Sequence, residues 1–288
     1  MDRRDWRIAD NAACDNVTGV NESVVSAARQ VRSSVLLAVC VALAAALALV
    51  WKSSLVGRMF YEVSVATGGL VQPTLLFAGT TALLVCGVLV AAGVPLRELG
   101  VRTRDAPRAL ALLVVLYAAL QLAIIAVALA HGDRLAPAQH DLQKAIGLFA
   151  AQLFGNALVE EAVFRGFLFR QLVARARLGG GIGSVAAATA LAAAIFGVWH
   201  LPLRIHQGYQ GLDLAATIVV AALGGALASY LYARSGNLLI LVVLHTLFNE
   251  QAPLFVSPVP TQWILCVLVI AVVAWIEVSA RAAARHLR

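Results

Sequence analysis

Eight stretches of this chain contain no Asp, Glu, Lys or Arg for 15 residues or more: 35–51, 63–96, 109–130, 145–159, 178–199, 214–233, 235–249 and 251–276. A hydrocarbon layer about 30 Å thick needs roughly 20 apolar residues per helix, and backbone polar groups inside it must bond within their own segment. Each stretch therefore has room for one membrane-spanning helix. The short fourth stretch resumes its apolar pattern beyond Glu160 and Glu161 and runs to about Leu172. The short seventh is followed by Pro253, Pro258 and Pro260, which forbid a simple helical continuation. The turn before it is expected at 234–237, Arg-Ser-Gly-Asn.

Composition supports the same reading. Of 288 residues, 61% are hydrophobic and 13% charged, with a mean hydropathy of +0.86. Soluble domains run nearer 45–50% apolar and about 25% charged. The figures exclude disorder, collagen-like structure and a small disulfide scaffold. Four cysteines, Cys14, Cys40, Cys86 and Cys266, form no CxxC pair and read as small buried hydrophobes rather than metal ligands. The first apolar run starts near residue 35, late for a cleavable signal peptide.

The net charge of +7 is a matter of topology. With eight spans, Lys52, Arg58, Arg134, Lys144 and Arg204 fall on one side of the membrane, and the other 17 of the 22 basic residues on the opposite side. The basic-rich side is cytoplasmic, so both termini are expected there and no nucleic-acid partner is implied. The expected organisation is a cytoplasmic segment over 1–33, an eight-helix transmembrane domain over 34–280 and a cytoplasmic tail over 281–288. Twenty Arg to two Lys, with heavy Ala use, points to a GC-rich bacterial genome and so to a bacterial inner membrane.

Ionisable groups inside a span cost roughly 2.5–3.5 kcal/mol each on insertion scales and mark function. Three places carry them or their polar companions: Glu160-Glu161-Ala-Val-Phe-Arg165, Phe196-Gly-Val-Trp-His200 and His245-Thr-Leu-Phe-Asn249. In a regular α-helix Glu161 and Arg165 share a face and suit an ion pair, while Glu160 points about 100° away. Phe196 and His200 share a face, as do His245 and Asn249. Bland readings exist for each: a structural Glu161–Arg165 pair, an interhelical hydrogen bond for His200, a helix cap or helix glue for Asn249, and packing for Phe164, Phe196, Trp199 and Phe248. Three such motifs together point to a site.

Their levels are expected to match. Glu160 and His200 lie 20 residues either side of Gly180, in the glycine-rich 179–183, so an antiparallel hairpin puts them roughly 30 Å from its turn. His245 lies only about 13 Å beyond the Gly236 turn by the same rise. The levels agree if 170–183 projects into the cytoplasm.

EExxxR, FxxxH and HxxxN, in that order and on separate spans, resemble the CPBP family, which comprises type II CAAX prenyl proteases and bacteriocin-processing or self-immunity (Abi-like) proteins. The resemblance covers about 85–250 and includes Leu99-Gly100-Val101-Arg102 after an apolar helix. It implies an all-α polytopic membrane protein of about eight transmembrane helices, with the active site inside the bundle, acting as an intramembrane endopeptidase. By position, Glu160 matches the catalytic carboxylate, and His200 the imidazole that shares in activating water. His245 and Asn249 match the groups holding the oxyanion. Glu161, Arg165 and Phe196 match supporting positions. Eukaryotic relatives trim the last three residues of prenylated CAAX proteins. In a bacterium a peptide pheromone, a bacteriocin precursor or a membrane protein is the expected substrate class.

The chemistry is coherent. Hydrolysis without a nucleophilic side chain needs a base for water, an acid for the leaving amine, and donors aimed at the developing oxyanion. A zinc ion held by Glu160, His200 and His245, with water in the fourth place, is the alternative. No cofactor is expected otherwise. The sequence has no HExxH, and no Asp falls inside an expected span. Ser184, beside the glycine-rich turn, gives a serine protease little support. A proton-coupled transporter would show internal repeats. A non-proteolytic membrane scaffold or immunity protein is the remaining alternative.

Overall fold

The computed structural model describes residues 32–52, 54–95, 99–138, 141–177 and 184–286. The segment 1–31, with Cys14 and four of its arginines, and the glycine-rich turn at 179–183 lie outside the described residues. Among the described residues the chain is helical, with no strand and a single isolated bridge between Pro137 and Phe255. Among the described residues six helices are long and apolar enough to cross a membrane. Two shorter apolar ones, Ser34–Ala46 and Leu238–Asn249, bring the set to the eight expected. Large apolar side chains stand outward along them, Leu83 at 76% and Leu212 at 88% exposure. Such a surface is tolerated only against lipid, and the protein is an integral membrane protein.

The helices are α1 (Ser33–Lys52), α2 (Ser54–Ala66), α3 (Pro73–Ala91), α4 (Ala106–Ala130), α5 (Leu142–Ala150), α6 (Ala157–Glu161), α7 (Arg170–Arg177), α8 (Val185–Trp199), α9 (Leu201–His206), α10 (Gly211–Ser235), α11 (Leu238–Asn249) and α12 (Thr261–His286). Two π-helical segments, Ala151–Asn156 and Ala162–Phe169, join α5, α6 and α7 into one continuous run.

The stretch at 63–96 does not hold one long helix. Gly68 and Gly69 take the left-handed region at φ +58° and +82°, α2 stops before them, and Pro73 restarts the chain at the first turn of α3. The last span likewise begins at Thr261, past the prolines, and its helix runs on to His286. The cysteines also differ from expectation. Cys40 and Cys266 are exposed and Cys86 is half-buried, because a small apolar side chain costs nothing on a lipid-facing surface.

The helices form two compact units, one of residues 32–163 and 237–275, the other of 164–236 and 276–286 among those described. In the first unit α1 packs on α2 and α3, α3 on the Ala151–Asn156 segment, and α11 on both α4 and α6. Buried Ala78, Thr81, Val85 and Leu89 recur at helical spacing along α3. Leu120 and Ile124 of α4 meet Ile264 of α12. A Cβ on Gly147 of α5 would collide with the Gly69 carbonyl, so only glycine lets α5 seat against that turn. Helix α11 is only 12 residues long, yet Leu238, Ile240 to Leu244, Thr246 and Leu247 are all buried. A helix apolar all round belongs in a core. The Asn237 side chain caps it, accepting from the Leu239 and Ile240 amides.

The chain leaving α11 is tied down. Ala252 sits at φ +41°, and its carbonyl accepts from the Tyr117 hydroxyl at 2.9 Å. The Leu254 amide donates to Gln121 at 2.8 Å. Amide–carbonyl bonds Ala138–Leu254 and Val256–Ala136 pair the two loops.

In the second unit α8 lies along α10 through small residues, with Ala188, Ala192, Ala193 and Gly197 buried. Lipid supplies no hydrophobic drive between helices, so close backbone approach through small residues supplies the contact. Gly236 ends α10 in the left-handed conformation expected of a glycine C-cap. Glu277 of α12 accepts from Arg234 at 2.7 Å and from the Tyr230 hydroxyl.

Candidate active site

Helix α11 and the run through α6 carry the polar motif residues of the first unit. Glu160 and Glu161 end α6 and are 8% and 2% exposed. His245 reaches both from α11: Nδ1 lies 2.8 Å from Glu161 Oε1, and Nε2 lies 3.8 Å from Glu160 Oε2. An ionised carboxylate only accepts hydrogen bonds, so Nδ1 carries the proton toward Glu161. Nε2 is left facing Glu160. Asn249 stands one turn further along α11, at its exposed end, and donates from Nδ2 to Gln152 Oε1 at 3.0 Å. The same Gln152 oxygen accepts from Asn156 Nδ2 at 3.4 Å.

Local winding sets this up. The five-residue α6 is bracketed by the two π segments. Single π turns inside α-helices are rare and recur at functional sites, because the wider i→i+5 winding re-aims side chains. The regular 100° step from Glu161 to Arg165 therefore does not hold, since Ala162–Phe169 is π-wound.

The second unit holds the other sequence-selected residues. The Arg165 guanidinium, 2% exposed, lies over the Phe196 ring at 4.0 Å from its centroid. Phe164 meets Phe196 edge-on at 5.1 Å and Trp199 at 5.7 Å. A cation on an aromatic face away from water is worth about 2 kcal/mol. His200 is the first residue past α8, and its Nδ1 lies 2.8 Å from the Phe196 carbonyl. A carbonyl accepts, so Nδ1 donates and Nε2 keeps a lone pair in the neutral ring. The FxxxH spacing thus fixes both the ring's packing, 4.7 Å from Phe196, and its tautomer.

In α7, Arg170, Gln171 and Arg175 are buried, with Arg175 bonded to Gln171. Ser184 is the N-cap of α8, accepting from the Ala187 amide. Gln152 and Asn156 escaped the sequence reading, although two amides four apart in an apolar run were a visible signal. Among the described residues no group of three or more His, Cys, Asp or Glu side chains is set to hold a metal ion. The donor chemistry of Glu160 and His245 is nonetheless of the kind zinc accepts.

A family model described as type II CAAX prenyl endopeptidase Rce1-like matches residues 142–250, the span from the start of α5 to just past Asn249. Over that segment the chain is similar to the Rce1-like family. No curated protein and no solved structure matches the chain. The likeness supports the general character of an intramembrane CAAX-type endopeptidase, and all three motifs lie inside the matched residues.

Proposed function

We propose that the protein is an intramembrane endopeptidase of the glutamate type, cutting a peptide bond in a lipidated or membrane-embedded peptide. The observation that carries the reading is His245 set between Glu160 and Glu161, with Asn249 one turn on. Glu160 takes a proton from water, a task in which the family resemblance gives a part to His200, whose Nε2 keeps a lone pair in the neutral ring. The hydroxide attacks the scissile carbonyl. His245, held by Glu161 and protonated on both nitrogens, donates from Nε2 to the oxyanion, and Asn249 donates its amide. Glu160 then passes its proton to the departing amine as the C–N bond breaks. Each oxyanion donor is worth about 2.7–4 kcal/mol in such a site.

The zinc form of the same protease would use Glu160, His200 and His245 as ligands, the ion supplying an activated water. A bacterial inner-membrane location with both termini cytoplasmic rests on the distribution of Lys and Arg. The test is cleavage of farnesylated and transmembrane peptides by the purified protein in detergent, with and without a strong chelator. Cleavage that survives chelation supports the glutamate mechanism, and loss restored by zinc supports the metal form. No cleavage of any peptide would favour a non-proteolytic scaffold or immunity role.

A further inference from the structure

The amide of Asn249 has two N–H groups, and it projects from the last residue of α11, where nothing in the backbone fixes its rotation. One of those N–H groups is spent on Gln152 Oε1 at 3.0 Å. Gln152 in turn lies in the π segment Ala151–Asn156, and its oxygen is steadied by Asn156 Nδ2 at 3.4 Å. The acceptor is thus a half-buried amide on a neighbouring helix. We infer that Gln152 is a positioning residue for the reaction: it holds the Asn249 amide plane so that the second N–H stays aimed at the developing oxyanion. This rests on the oxyanion role proposed for Asn249.

The physical reason is preorganisation. A donor contributes to the transition state only if it is already aimed when charge develops, and an unrestrained Asn rotates about χ2 at little cost. The carbonyls at the end of α11 serve other donors: Thr246 accepts from the Glu250 amide, and Leu247 and Phe248 accept from Gln251 Nε2. Gln152 supplies the missing acceptor from the π-wound segment, where i→i+5 winding turns the side chain to a direction a regular α-helix would not give. Removing Gln152 should cost turnover by about tenfold, the worth of one hydrogen bond. It should leave KM unchanged, since the substrate's ground-state contacts are untouched.

The test is a double-mutant cycle on full-length protein in detergent, with a quenched farnesylated CAAX peptide as probe. Gln152→Met keeps length and removes the acceptor. The expected result is a tenfold lower kcat for Q152M, roughly 10²–10³-fold lower for N249A, and no further loss when Q152M is added to N249A. An equal tenfold loss in the N249A background, or a loss confined to KM, would overturn the positioning role. A wild-type kcat for N249A would instead remove the oxyanion reading. A readout independent of turnover is the Asn249 side-chain amide signal in ¹⁵N-Asn-labelled protein. It should shift upfield in Q152M and in Gln152→Ala, and a signal unchanged in both would overturn the inference.

Discussion

His245 Nδ1 and Glu161 Oε1 are 2.8 Å apart, although 84 residues separate them in the chain. This contact gives the second carboxylate of the EE pair a task beyond any pairing with Arg165. It fixes which nitrogen of His245 faces Glu160, and the rest of the proposed chemistry depends on that choice.

Glu161→Gln tests the choice. The amide fills the same volume but carries no negative charge, so the doubly protonated imidazole loses the anion that stabilises it and Nε2 loses the hydrogen it donates. Turnover should fall by about 10²–10⁴-fold, as when an orienting carboxylate is neutralised in a catalytic triad. Folded yield from membranes should hold, and steady-state kinetics on a membrane peptide is the check. Unchanged turnover would confine Glu161 to a structural role.

His200→Asn separates orientation from chemistry. The Asn amide can still donate to the Phe196 carbonyl in place of Nδ1, but it offers nothing at the Nε2 position. Thermal unfolding in detergent should match wild type while kcat drops by about 10²–10⁴-fold, the range for loss of a general base. Wild-type turnover would show that the ring only packs.

Gly197→Ala and Gly224→Ala form a matched pair for the contact of α8 with α10. A Cβ on Gly197 would stand 2.9 Å from the Ile218 carbonyl oxygen and 3.0 Å from the Ala222 side chain, and neither backbone yields cheaply. A Cβ on Gly224 meets nothing within 4 Å. G197A should lose about 1–3 kcal/mol of stability and much of its folded yield, as overpacking does, while G224A should not. Unfolding midpoints in detergent decide it, and equal midpoints would refute the close-packed contact.

Much of this was legible in the chain because a membrane leaves so few choices. The eight apolar helices follow from stretches without charge, and the turn at Gly236 from its glycine. The three motifs stood out because Glu, His and Asn are expensive among apolar residues. What was not legible is instructive. Spacing within one helix cannot report the Glu161–His245 contact, which joins two helices. The π segments leave no composition mark, so a regular 100° step was assumed from Glu161 to Arg165 where the winding is wider. The burial of Arg170 and Arg175 was not legible either, because a run of arginines says nothing about the partners that allow it. Gln152 and Asn156 were not singled out, although the pair's spacing was there to see.

The most direct test of the central claim is Glu160→Ala beside wild type, each purified in detergent at matched folded yield and given the same farnesylated and transmembrane peptides. The account predicts defined cleavage products from wild type and none from E160A, with both proteins unfolding at the same temperature. Turnover by E160A at the wild-type rate would contradict it.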